Sequence, residues 1–122
     1  MAVYDEWEAA NAKVAALSVT QSPTAPKDTH SKVRFRGRGF TDRMAAVYAH
    51  YVFRGKDRRT VRVGKPYGDC GLFSVRMRQF PFKGDPHPGV WTIQFDQQPA
   101  YSPQAPLYTT LTVRVKKVPR GR

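Results

Sequence analysis

Eight arginines alternate with apolar residues along strand-like stretches of the chain: Arg34, Arg36, Arg54, Arg59, Arg62, Arg76, Arg78 and Arg114. A guanidinium is permanently charged and presents a planar fork of donors to carboxylates and phosphates. Where neighbouring strands pair, their outward positions can merge into one basic surface fit for an acidic partner. Such a partner would be a nucleic acid, an acidic polymer or a negatively charged protein shell. The same arginines spread over both faces of a fold would be only a solvated surface, and strand order decides between the two. Tyr48 and Tyr108 share outward parity with some of them. No nucleic-acid motif of specific spacing is present, so binding of this kind is expected to be nonspecific and salt-dependent.

Other chemistry finds little support. His30, His50 and His87 are far apart, and none stands at metal-ligand spacing from another His or Cys. His50 alternates with Ala49 and Tyr51 and is expected at a surface or strand edge. The single cysteine, Cys70, lies among turn residues without a neighbouring base, and a lone thiol cannot form an intrachain disulfide. Asp42, Asp57, Asp69, Asp85 and Asp96 fall at predicted turns and are expected to cap them. Gly37-Arg38-Gly39 lacks the spacing of a phosphate loop. The expectation is a protein with no catalytic residues, no metal and no cofactor.

Composition sets the frame. The 122 residues fit one domain with a short appendage, and a 40% hydrophobic fraction supports one core. Net charge is +12, unevenly spread. Residues 1–31 hold two basic and four acidic side chains (2 − 4 = −2), and residues 32–122 hold 19 and five (19 − 5 = +14). No apolar run is long enough to span a membrane. The N-terminus lacks the basic and apolar regions of a signal peptide, which predicts a chain kept in the cytosol or a mature form whose signal has been removed.

The elements that would position the arginines follow from hydrophobic period. Val3, Trp7, Ala10, Val14 and Leu17 form one stripe at helical spacing, with Asp5, Glu6 and Glu8 near its start. Residues 1–17 are therefore predicted as an amphipathic helix, docking either on its own chain or on a neighbour. Residues 18–31, with Pro23 and Pro26, read as an extended linker of up to roughly 45 Å. Residues 32–117 alternate with period two. Val33 and Phe35, then Val47, Ala49, Tyr51 and Phe53, point inward. Two further alternating arms, Phe73-Val75-Met77 and Trp91-Ile93-Phe95, flank a connection rich in Gly and Pro. Trp91, Phe95, Phe73 and Tyr51 are the expected core anchors, Trp91 foremost because of its apolar area. The last strand carries Leu111, Val113 and Val115 on one face, and residues 118–122 form a basic tail. Six or seven strands divided by turn clusters predict an all-β, immunoglobulin-like antiparallel β-sandwich, with a small closed barrel as the competing architecture.

Several motifs occur in a familiar order: Gly39-Phe40-Thr41, Val47-Tyr48-Ala49-His50-Tyr51, Gly55-Lys56, Gly68-Asp69-Cys70-Gly71, Phe80-Pro81-Phe82, and Trp91 to Asp96 with Tyr101. Together, over residues 32–116, they resemble an immunoglobulin-like domain of actinobacterial proteins. That resemblance implies an exported envelope or adhesion module. In architecture, a small immunoglobulin-like domain with an extended arm is also similar to capsid-decorating proteins of tailed phages. The expected role is a non-catalytic structural protein attached to a larger assembly, a virion shell first, oligomeric in that context and located in the virion or the host cytoplasm. The envelope module and a basic nucleic-acid-associated protein are the alternatives.

Overall fold

The computed structural model describes residues 17–117. Seven strands follow in order: β1 (Ser18–Ser22), β2 (Lys32–Arg38), β3 (Val47–Phe53), β4 (Lys56–Gly64), β5 (Phe73–Arg78), β6 (Gly89–Asp96) and β7 (Tyr108–Val115). They form two antiparallel sheets, β1-β2-β5 and β4-β3-β6-β7, packed as a β-sandwich. No helix occurs among the described residues.

Alternation explains the packing. Val33 and Phe35 of β2, Phe73 of β5, Ala49 and Tyr51 of β3, and Trp91, Ile93 and Phe95 of β6 all turn into the space between the sheets. All four expected anchors are buried, with Trp91 1% exposed and Phe73 4%. Trp91 is enclosed by Phe53, Phe80 and Phe82 at ring-centroid distances of 4.8, 5.4 and 5.5 Å. Its indole N–H donates to the His87 carbonyl at 2.8 Å, so the one polar atom of the ring is satisfied. Tyr51 likewise donates to the Gln79 carbonyl at 2.7 Å. Burial raises its phenol pKa despite the opposing charge of Arg59. The arms on either side of the Gly/Pro-rich connection belong to different sheets, β5 to one and β6 to the other. The connection crosses the sandwich.

Two boundaries move. Ser18–Ser22, expected within an extended linker, pairs with β2 as an edge strand, and Val19 enters the core at 6% exposure. A linker over 18–31 is therefore corrected: the sandwich begins at β1. Of the predicted helical stripe, Leu17 packs against the core, while Val3, Trp7, Ala10 and Val14 lie outside the described residues, as does the tail 118–122. The second boundary is the end of β2, which continues past Arg36 through Gly37 to Arg38. The glycine lies inside β2, because a Cβ there would overlap the Phe73 ring. It allows close approach and does not end the strand.

Candidate functional site

Strand order settles where the arginines go. Along β2, Lys32, Arg34, Arg36 and Arg38 occupy every second position, and β5 contributes Arg76 and Arg78. Pairing places Lys32 opposite Arg78 and Arg34 opposite Arg76, while Arg36 faces Ser74 on one side and Thr20 on the other. Residues opposite each other in an antiparallel pair share a face. The outer face of the three-stranded sheet therefore carries four cations from β2 and two from β5, six in all, and none of its three strands contains a carboxylate. Arg34 is tethered by donation from Nη1 to Ser74 Oγ at 2.9 Å. Among the described residues, the ion pairs involve His30, Arg43 and His50, and none of these six.

The remaining arginines do not join this face. Arg62 lies opposite Tyr48 and Arg114 opposite Val90, both on the four-stranded sheet. Arg59 pairs with Tyr51, which puts it on the core side of the edge strand β4. Arg54 sits in the β3–β4 turn at φ 53, with its guanidinium 5.1 Å from the Phe53 ring centroid. Tyr48 and Tyr108 also belong to the four-stranded sheet, and among the described residues no outward position of β1, β2 or β5 is aromatic. Lys32 and Arg38 are additions to the sequence reading. Carrying the alternation through Gly37 would have included Arg38.

A second cluster lies on the outer side of the four-stranded sheet, and it corrects two expectations. His50, expected at a surface, is 0% exposed, and Asp96, expected as a turn cap, is equally buried. The segment that follows β6 reaches this cluster: the Gln98 backbone contacts both side chains, and the Tyr101 ring lies 5.7 Å from the His50 ring. His50 Nε2–H donates to Asp96 Oδ1 at 2.9 Å and to the Gln98 carbonyl at 3.0 Å. Nδ1 lies 2.7 Å from Thr60 Oγ1, whose hydroxyl donates to Asp57 Oδ2 at 2.7 Å. With the hydroxyl proton directed to Asp57, Nδ1 faces an oxygen that can accept from it, an arrangement that favours the protonated ring. Burial opposes that charge, but the hydrogen bond and charge of Asp96, the charge of Asp57 and the Gln98 carbonyl outweigh it, so the pKa is raised. Gln94 completes the set, donating to Asp96 Oδ2 at 3.0 Å and to the Ser102 carbonyl at 2.9 Å.

Hydroxyl, imidazole and carboxylate in series have the outline of a nucleophilic triad. A general base needs a free ring nitrogen, whereas here Nε2 faces Asp96 and the Gln98 carbonyl and Nδ1 faces Thr60 Oγ1, whose hydroxyl is directed to Asp57. The geometry suits a latch that ties 97–107 to the sheet through Gln98 and Ser102. Cys70 is exposed in a turn. Among the described residues no group of His, Cys, Asp and Glu could hold a metal ion, and no helix is long and apolar enough to cross a membrane. Where β1 and β7 leave the sandwich open, a groove of about 1190 Å³ has Val19, Leu111, Val113 and Val115 among its lining residues. No protein-family model, curated protein or solved structure matches the chain.

Proposed function

We propose that the protein is a non-catalytic attachment subunit: an immunoglobulin-like β-sandwich that joins a larger assembly by laying the outer face of β1-β2-β5 on an anionic surface. The carrying observation is the pair of like-charged cross-strand contacts, Lys32 with Arg78 and Arg34 with Arg76. Like charges directly opposite each other destabilise a sheet. An anionic partner turns that cost into binding energy. The connectivity supports the immunoglobulin-like assignment. Taking β1 to β7 as A, B, C, C′, E, F and G gives sheets A-B-E and C′-C-F-G, the second in the order of immunoglobulin domains. The core departs from that family's habit, with Tyr51 on C and the tryptophan on F. A virion shell is the assembly this architecture suggests.

Heparin chromatography tests the face. A variant carrying Arg34→Gln, Arg36→Gln, Arg76→Gln and Arg78→Gln should elute at much lower salt than wild type. A second variant, with Arg54, Arg62, Lys65 and Arg114 changed to Gln, loses the same charge and should elute close to wild type. Equal loss in both would mean that bulk charge, and not this face, makes the contact. Co-sedimentation with purified virions at fixed stoichiometry tests the assembly, and absence from the particles would refute the shell.

A further inference from the structure

The side chains of the basic face narrow its partner beyond "anionic". We propose that this face binds the phosphate backbone of a nucleic-acid duplex without reading its sequence. The inference rests on the attachment reading and names the polymer. Three features carry it.

The first is what surrounds the cations. The outward positions of the sheet hold Ser18, Thr20 and Ser22 on β1 and Ser74 on β5, beside the six basic residues. Protein–protein contacts draw their energy from buried aromatic or aliphatic anchors at the centre of the patch, and the described outward positions of this face hold none. Phosphate binding needs no such anchor, because its driving force is the release of condensed counterions. Small hydroxyls between basic groups are ordinary donors to phosphate oxygens.

Dimensions are the second feature. Cations recur at every second residue of β2, and from Lys32 to Arg38 the row is about 20 Å long at ~3.3 Å per residue. One strand of a B-form duplex presents a phosphate every ~3.4 Å of axis, so a row of this length meets a continuous run of negative charge. Five of the six cations are arginines, whose fork can take a phosphate through two parallel hydrogen bonds.

The third is that, among the described residues, the outward positions of this sheet supply no stacking platform. Proteins that hold single strands combine a basic groove with aromatic rings on which bases stack. Tyr48 and Tyr108 belong to the opposite sheet, so this face offers a single strand nothing that a duplex does not also receive.

The test uses the full chain and a short, labelled, random-sequence DNA duplex, with binding followed by fluorescence anisotropy across a sodium chloride series. Log K should fall linearly with log salt at a slope of about −4 to −5, as expected for five or so neutralised phosphates. The four-residue face variant above should lose most of that slope, the equal-charge control should keep it, and the matching single strand should bind more weakly. Equal slopes for the two variants, or tighter binding of the single strand, would overturn the duplex assignment. Polyglutamate serves as the competing polyanion. Should it displace the duplex at equal charge concentration, the face is tuned to carboxylates, the duplex proposal fails, and attachment to an acidic protein surface stands. If the face variant matches wild type on heparin as well as on DNA, both readings fail together.

Discussion

Arg34 and Arg76 lie directly opposite one another on adjacent strands and project from the same solvent-facing side of the sheet. The pair opposes folding whenever no anion is present. Arg76→Thr, which removes one charge and adds a good strand former, should raise stability by roughly 0.2–1 kcal/mol. Added salt should stabilise the wild type more than the variant, because screening relieves only the repulsion that remains. Denaturant titrations at low and high salt measure both effects. A less stable Arg76→Thr protein would mean that the two guanidinium groups splay apart and do not repel.

Trp91 makes the largest single contribution to the core. Trp91→Ala should cost about 3–5 kcal/mol, since the cavity among Phe53, Phe80 and Phe82 is lined by rings that cannot easily close it. A loss under ~1 kcal/mol in a chemical-denaturation experiment would contradict the enclosure described for this ring.

The buried His50 ring makes stability depend on pH in a defined direction. The folded-state pKa of His50 is raised, so its stabilisation is complete below the unfolded value of about 6.5 and is lost as pH rises through the folded value. Stability should therefore fall as pH rises above the unfolded value, where the latch gives up its charge. An NMR titration of the His50 ring reads the shift directly in the wild type, and a midpoint at or below 6.5 would refute it. His50→Ala should cost roughly 3–5 kcal/mol, because Asp96 would remain buried without its histidine partner, held only by Gln94 and the Gln98 N–H.

Gly37 tests close packing within the basic sheet. Gly37→Ala should destabilise by about 1–3 kcal/mol through overlap with the Phe73 ring. Combining it with Phe73→Leu should recover part of that loss, giving a favourable coupling energy in a double-mutant cycle. Strict additivity would show that the alanine is accommodated by backbone movement instead.

What could be read in advance was local. Period-two alternation identified β2, β3, β6 and β7 and their inward faces, because a strand with one buried side must alternate whatever its neighbours are. Strand β1 was not legible: Ser18-Val19-Thr20-Gln21-Ser22 buries a single apolar residue beside Pro23, and its assignment depends on pairing with β2. The basic face was half legible for the same reason. Parity put Arg34, Arg36, Arg76 and Arg78 outward, but only strand order shows that β2 and β5 are neighbours while Arg62 and Arg114 belong elsewhere. His50 failed for a different cause. Parity placed it correctly outside the sandwich core, but alternation carries no information about the segment after β6 that reaches that outer side.

Among the described residues β5 borders one strand, so Arg76 and Arg78 occupy a margin of the sheet as well as its face. Edge charges of one sign keep strands of separate molecules from pairing. Two copies cannot easily zip together along this border, and neighbours arranged on a common polymer would stand apart as separate beads. Occupancy along such a polymer should then rise without cooperativity, each molecule binding as though it were alone.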